Sequence, residues 1–345
     1  MAARKKTASK SRSYRRERTA REKVGFWSQW NFGVTFPVLI LICVFAAAAL
    51  YGAYLENEDT ADEPAAVVNN FIEKDADLIV YYFDVGQGDS SLISYDGQTV
   101  LIDAGEQGMG DTVVGYIEAL GISRIDYVIA THPHSDHIGG MPEVIEAFEI
   151  GTVIAPKISD EMTPTTKVYE KFLTALSGKG LRLTAAKTGD AYSLADDSVE
   201  NDNTAFEIIA PIRDDYTDLN DWSVGIRLVH GDTAFIFTGD AEKDAEADMI
   251  ESGEVLSADV LKTPHHGSST SSSGAFLESV NPTYAVISCG DGNSYGHPHS
   301  ETIEKFDDYG IKYYRTDQNG TVTAYSDGET VKIVTERETD KNVDS

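Results

Sequence analysis

The stretch THPHSDHIGG, residues 131–140, places His132, His134, Asp136 and His137 within six residues. Imidazole and carboxylate together suit zinc, iron or manganese. Pro133 separates the first two histidines, so the segment reads as a loop. A tight loop can turn all four side chains inward, which a regular strand or helix does not. Gly139 and Gly140 then let the chain turn away and start a helix at Met141 or Pro142.

The remaining histidines sharpen this reading. The chain has eight, and three lie in this loop. His265 and His266 fall in KTPHHGSSTSSS, and His297 and His299 in YGHPHSE. Each cluster follows a strand-like run, which is not how core histidines distribute. His230, in VHGD, stands apart and reads as a hairpin-end residue. TAFIFTGDAE adds Asp240 at the mouth of a strand. A carboxylate has two oxygens and can bridge two cations, so Asp240 is the natural link between two metals. Two ions about 3.5–4 Å apart can clamp both oxygens of a phosphoryl or acyl displacement. There are only two cysteines, Cys43 and Cys289. No disulfide partner and no thiolate site is therefore expected.

These residues need elements to hold them. LIVYYFDV, SSLISYDG and TVLIDAG read as strands. GDTVVGYIEALG reads as a helix stopped by Gly121. IDYVIATH is a strand running into the histidine loop, and MPEVIEAFEI and KVYEKFLTALSGKG are helical. Strand-like runs then dominate to GTVTAYSDGETVKIV. The order suggests two sheets with helices outside them, forming one domain over 78–335 with a polar tail at 336–345.

The first 24 residues carry 10 Lys or Arg against two acidic residues, which leaves 18 basic and 55 acidic residues for the rest. This start reads as a disordered cytoplasmic tail. Residues 34–54 are apolar and uncharged, long enough to cross about 30 Å of hydrocarbon as a helix. Phe26, Trp27, Trp30, Tyr51 and Tyr54 flank them as interface anchors would. Residues 25–55 are thus expected to form a single membrane anchor, with a cleaved signal peptide as the competing reading. Residues 56–77 read as an acidic linker. The expected location is the cell membrane, single-pass, with the N-terminus cytoplasmic, the catalytic domain extracellular and membrane lipid as a partner. The acidic surface repels polyanions.

The motifs LIDAG, THPHSDHIGG and FTGDAE resemble those of the metallo-β-lactamase fold superfamily. FDVGQGDSSLI at 83–93, NDWSVGIRLVHGDTAFIFTGDAE at 220–242, LKTPHHGSS at 261–269, VISCGDGNSYGHP at 286–298 and RTDQNGTV at 315–322 resemble, more closely, the C-terminal extracellular domain of ComEC-like competence proteins and their stand-alone relatives. The resemblance implies an α/β fold, a four-layer αββα sandwich, here preceded by a transmembrane helix. It implies two divalent ions, zinc first and manganese as the alternative. His132 and His134 would bind one ion, Asp136 and His137 the other, and Asp240 would bridge. The broad family takes a third histidine for the first ion from between this motif and the bridging aspartate. No histidine lies between 137 and 230. His265 or His266 would then complete the first site, with His265 favoured and His266 kept as a catalytic or substrate group. His297 would complete the second.

Asp136 would also orient the nucleophile and take its proton, and Lys262 would contact an anion. Asp84 and Asp89 border the site in the resembling family. Asp103 would fix the tautomer of a ligating histidine, and Ser223, with Asn220, would buttress the site. The expected function is a membrane-anchored extracellular phosphodiesterase or nuclease related to competence DNA processing, with a phosphodiester or ester substrate and nucleic acid as one partner. One predicted helix cannot supply a DNA channel, and 78–334 holds no strong Lys/Arg cluster. One alternative is therefore a metal-dependent esterase or phosphodiesterase on a small or cell-surface substrate. Another is a non-catalytic surface or DNA-uptake accessory protein.

Overall fold

The computed structural model describes residues 77–195 and 202–338. The chain runs β1 (Leu78–Tyr82), β2 (Ser91–Tyr95), β3 (Gln98–Ile102), α1 (Gly110–Ala119), β4 (Arg124–Ile129), α2 (Ser135–Ile138), α3 (Met141–Ala147), β5 (Glu149–Ala155), α4 (Lys167–Gly178), β6 (Leu183–Ala185) and β7 (Ala191–Ser193). It continues with β8 (Ala205–Ala210), β9 (Gly225–His230), β10 (Thr233–Phe237), α5 (Lys243–Ser252), β11 (Val260–Lys262), α6 (Gly274–Val280), β12 (Tyr284–Ile287), α7 (Ser300–Tyr309), β13 (Lys312–Arg315), α8 (Thr316–Asn319), β14 (Val322–Ser326) and β15 (Val331–Thr335).

The strands form two mixed sheets, ordered β15-β14-β1-β2-β3-β4-β5-β6 and β13-β12-β11-β10-β9-β8-β7. In the first, strands β15 through β3 pair antiparallel, and β3 to β6 are parallel. The second repeats the plan: β7 to β10 are antiparallel, and β10 to β13 parallel.

Side chains alternate across a strand, and here both faces are apolar because both are covered. Val80, Tyr82, Ile93 and Ile129 meet Phe206, Ile226, Phe235 and Phe237 between the sheets. Tyr81, Leu92, Leu101 and Val128 turn the other way and pack on Val113, Ile117, Val144, Ile145 and Phe172 of α1, α3 and α4. On the far side, Ile236, Leu261 and Ile287 pack on Met249, Phe276, Leu277 and Phe306 of α5, α6 and α7. The result is the expected αββα order of four layers. Each buried Phe, Leu, Ile or Val contributes roughly 1.5–3 kcal/mol of hydrophobic stabilisation.

The membrane expectation is corrected. No helix among the described residues is long and apolar enough to cross a membrane. The longest, α4, has 12 residues, or about 18 Å at 1.5 Å per residue, against about 30 Å of hydrocarbon. The segment 25–55 assigned to the anchor lies outside the described residues, as do the tail 1–24 and nearly all of 56–77. The transmembrane helix, the lipid partner, the single-pass location and the extracellular placement that followed from them are withdrawn.

Candidate metal centre

The first half of the site follows β4. Thr131 leaves the strand with its backbone N–H donating to Asp103 Oδ1 (2.9 Å) and its hydroxyl to Oδ2 (2.6 Å). His134 ends the extended part, and α2 then makes one turn through Asp136 and His137. Two loops are laced beneath this turn. Asp89 N–H donates to Asp136 O (3.0 Å), Ala104 N–H to His137 O (2.8 Å) and Gly105 N–H to Asp89 O (2.8 Å). Such close approach explains the glycines. A Cβ on Gly139 would lie 2.1 Å from Gln107 N, and one on Gly88 2.4 Å from Asp136 O.

The second half follows the parallel strands of the other sheet. Asp240 comes just after β10, with its N–H donating to Ser223 Oγ (3.1 Å). His265 and His266 follow β11, both with left-handed backbone (φ 50° and 53°). His297 lies in the loop after β12. The halves are joined where Val224 N–H donates to Thr131 O (2.9 Å).

The side chains converge tightly. His137 Nε2 lies 3.1 Å from Asp240 Oδ1. Asp240 Oδ2 lies 3.6 Å from His266 Nε2, 3.7 Å from His265 Nε2 and 3.8 Å from His132 Nε2. His266 Nε2 is 3.3 Å from Asp136 Oδ2, and His132 Nε2 is 2.9 Å from His134 Nδ1. Two groups are close enough to hold a metal ion: Asp136, His137, Asp240 and His266; and Asp89, Asp103 and His137. The second is more heavily committed, because Asp89 pairs with Lys262 (2.7 Å) and Asp103 with Thr131 and His137.

The donor atoms fit divalent cations. His137 Nδ1 faces Asp103 Oδ2 at 2.7 Å. An ionised carboxylate only accepts, so Nδ1 carries the hydrogen and Nε2 presents its lone pair inward. His266 Nδ1 likewise donates to Ser288 O (3.0 Å), which turns its Nε2 inward. His137 Nε2, His266 Nε2 and Asp240 Oδ1 are buried without a hydrogen-bond partner. Nitrogen and carboxylate oxygen atoms buried together this way need protons or a cation between them, and a divalent ion can take the protons' place.

The electrostatics agree. Burial alone would lower the His137 pKa, yet Asp240 and Asp103 raise it well above the usual imidazole value. Burial works the same way on His266, which Asp240 and Asp89 push up to about 10. Burial would raise Asp240 and Asp136; the histidines around each hold both below the usual carboxylate range. Burial and the neighbouring His137 keep His132 well below its ordinary value. Carboxylates that hold protons on imidazoles this strongly would also hold a metal ion in the protons' place.

A cleft of about 370 Å³ opens on the centre, lined by Gln87, Glu106, His134, Ser135, Asp136, Asn220, Asp240, His265, His266, Tyr295 and His297. Among these lining residues there is no Lys or Arg. A larger hollow of about 760 Å³ beside α4, lined by Thr163 to Gly178, holds no such cluster.

Several residues sit elsewhere than the sequence suggests. Lys262 does not reach the cleft: it is buried, with Nζ on Asp89 Oδ2 (2.7 Å) and Thr263 O (3.1 Å). Asp84 faces Arg337, while its N–H donates to Thr321 Oγ1 (3.2 Å). His299 accepts from Ser269 N–H (3.0 Å) at the start of α7. His230, by contrast, sits at the hairpin end as its sequence suggests, bonding Ser326 Oγ (2.9 Å) at the turn into β10. His266, rather than His265, shares the four-residue cluster. Sequence reasoning missed Glu242, whose Oε1 lies 3.2 Å from His265 Nδ1. It also missed Glu106, Tyr295 and the Ser288 carbonyl. Only Glu242 carried a signal, two residues beyond Asp240.

The family model of the metallo-beta-lactamase superfamily matches residues 83–291. ComE operon protein 3 of Bacillus subtilis (strain 168) is 30% identical over 270 residues, covering 72% of this chain and 33% of that protein. Competence protein ComA of Neisseria gonorrhoeae is 31% identical over 261 residues, covering 75% of this chain and 33% of that protein. The chain thus spans about a third of the length of these curated relatives. Among solved structures, the metallo-beta-lactamase fold protein YhfI from Bacillus subtilis aligns at 12% identity, with a TM-score of 0.48, over 75% of this chain and 100% of that one. The family match spans more than half of the chain and both sheets' contributions to the cluster, so this chain belongs to the metallo-beta-lactamase superfamily and is a two-metal hydrolase of that fold.

Proposed function

We propose that the protein hydrolyses a small ester or phosphodiester at this centre. The observation that carries the reading is the convergence of the inward Nε2 atoms of His137 and His266 on Asp136 and Asp240, at the floor of an open cleft. The lining residues carry carboxylates and no fixed cation, which disfavours a long polyanion and leaves room for a small substrate.

His132, His134 and His265 would hold one ion and Asp136, His137 and His266 the other, with Asp240 within reach of both. Distances support this division, since His132 and His265 approach Asp240 Oδ2 while His266 also meets Asp136. The imidazole-rich set favours zinc, with manganese as the alternative. Two bound divalent ions supply Lewis acidity and acidify water. The chain's own residues do the rest. Asp136, partly open to the cleft, orients the attacking water and accepts its proton. Asp103 and the Ser288 carbonyl hold His137 and His266 in one tautomer. Ser223 fixes the backbone of Asp240. Lys262 neutralises Asp89 instead of touching substrate. His297 stands at the rim, its Nδ1 buried without a partner.

The identities with the two competence proteins, and the order of the shared motifs, support a finer kinship with the hydrolase domain of ComEC-like proteins. The reaction is tested by metal analysis and a panel of bis-p-nitrophenyl phosphate, a carboxylic ester, a lactone and a β-lactam, each with zinc and with manganese. Turnover of an ester or the phosphodiester is expected, and Asp136→Ala should lower it by about 10²–10⁴-fold. A purified protein that retains neither metal, or unchanged turnover in Asp136→Ala, would refute the reading.

A further inference from the structure

Tyr295 stands at the mouth of the metal cleft and is 63% exposed. Its ring stacks on His297, with centroids 5.5 Å apart and planes 18° from parallel. His297 stacks in turn on His266, at 6.0 Å and 29°. A row of three rings therefore runs from solvent to the centre. One face of Tyr295 meets His297; the high exposure leaves the other open.

The loop that presents this ring is built rather than loose. Asn293 Oδ1 accepts from the N–H groups of Tyr295 (3.2 Å) and His297 (3.0 Å). Asn293 Nδ2 donates to Gly290 O (2.9 Å) and His297 O (2.6 Å). His299 Nε2 closes the loop on Tyr295 O at 3.2 Å. A loop held this way presents the ring from a fixed backbone, so little backbone ordering is needed when a partner arrives.

The wall chemistry says what that partner is. Glu106, Asp136 and Asp240 line the cleft, with no Lys or Arg among its lining residues. This wall offers no ionic partner to an uncharged or anionic part of a substrate remote from the reacting bond. An open aromatic face can hold such a part, because planar rings stack in offset geometry with a gain beyond simple burial. We propose that Tyr295 is a specificity-determining residue that stacks on a planar aromatic ring carried by a small ester or phosphoester substrate. The proposal rests on the hydrolase reading above and adds the substrate's second feature to it.

The test is calorimetric titration of the zinc-loaded full chain with phenyl phosphate and with methyl phosphate. Tyr295→Phe and Tyr295→Ala are measured beside the wild type. Stacking of this kind changes affinity by about 5–160-fold. The wild type should prefer phenyl phosphate by that factor, Tyr295→Phe should keep the preference, and Tyr295→Ala should bring the ratio near one. General damage to the site would weaken both ligands together and leave the ratio intact. Equal binding by the wild type, a preference that survives in Tyr295→Ala, or no binding of phenyl phosphate would each overturn the proposal. Turnover in the ester panel decides the hydrolase reading separately. A protein that turns over esters without a phenyl preference loses only the stacking role.

Discussion

The two halves of the centre are built differently. The half after β4 comes from one short stretch, with four donor residues in six positions, and rests on buried partners. His137 meets Asp103 at 2.7 Å with both side chains almost wholly buried. The half contributed by the second sheet comes from three separate loops. Its His265 meets Glu242 at 3.2 Å, with side chains 20% and 25% exposed. The first half is therefore rigid by local construction. The second depends on how its sheet packs and on what occupies the centre.

Substitutions can break this comparison. The largest effect is expected from Asp240→Ala, which removes the carboxylate that both halves share. Turnover should fall on the order of 10²–10⁴-fold, and elemental analysis should show fewer bound ions. Retention of a full metal complement would show that the halves bind independently. Lys262→Met comes next. It leaves Asp89 in the interior with only His266 Nδ1, at 3.2 Å, beside it, and breaking a buried pair costs about 3–5 kcal/mol. Chemical denaturation would measure this; a loss below about 1 kcal/mol would mean that Asp89 is hydrated after all.

The last two predictions test the contrast directly. Asp103→Asn should weaken metal affinity about 10–100-fold, as removal of a histidine's buried acidic partner does. Glu242→Gln removes the equivalent partner from His265, but the pair is partly exposed and worth at most about 1 kcal/mol. Its affinity should fall less than about fivefold. Competition with a chromogenic chelator reads both. Equal losses would erase the distinction between the halves.

The same distinction explains what could be read from the sequence. The unbroken apolar run in LIVYYFDV marks a strand with two apolar faces, as Tyr81 and Tyr82 on opposite sides show. THPHSDHIGG declares its cluster because the residues are neighbours, and Gly139 and Gly140 mark a backbone crossing that admits no side chain. Sequence spacing cannot show that Lys262 turns inward to meet Asp89, 173 positions earlier. That contact exists only once the two sheets are packed. The left-handed turn at His265 and His266 is marked only by Gly267 behind it (φ 82°), since neither histidine favours that backbone. Tyr295 looks like any loop tyrosine until the cleft forms beside it. The membrane reading came from 25–55, outside the described residues, and no helix of the folded part supplies a span.

Thr131 O and Val224 N–H make a seam between the sheets, 2.9 Å long. The donor atoms lie on both sides of it, so any bound ion acts as a rivet through two plates. Sliding or parting the sheets requires the rivet to leave. Free ion concentration then becomes a control on mechanical cohesion, with each tenfold rise above the dissociation constant adding about 1.4 kcal/mol against unfolding.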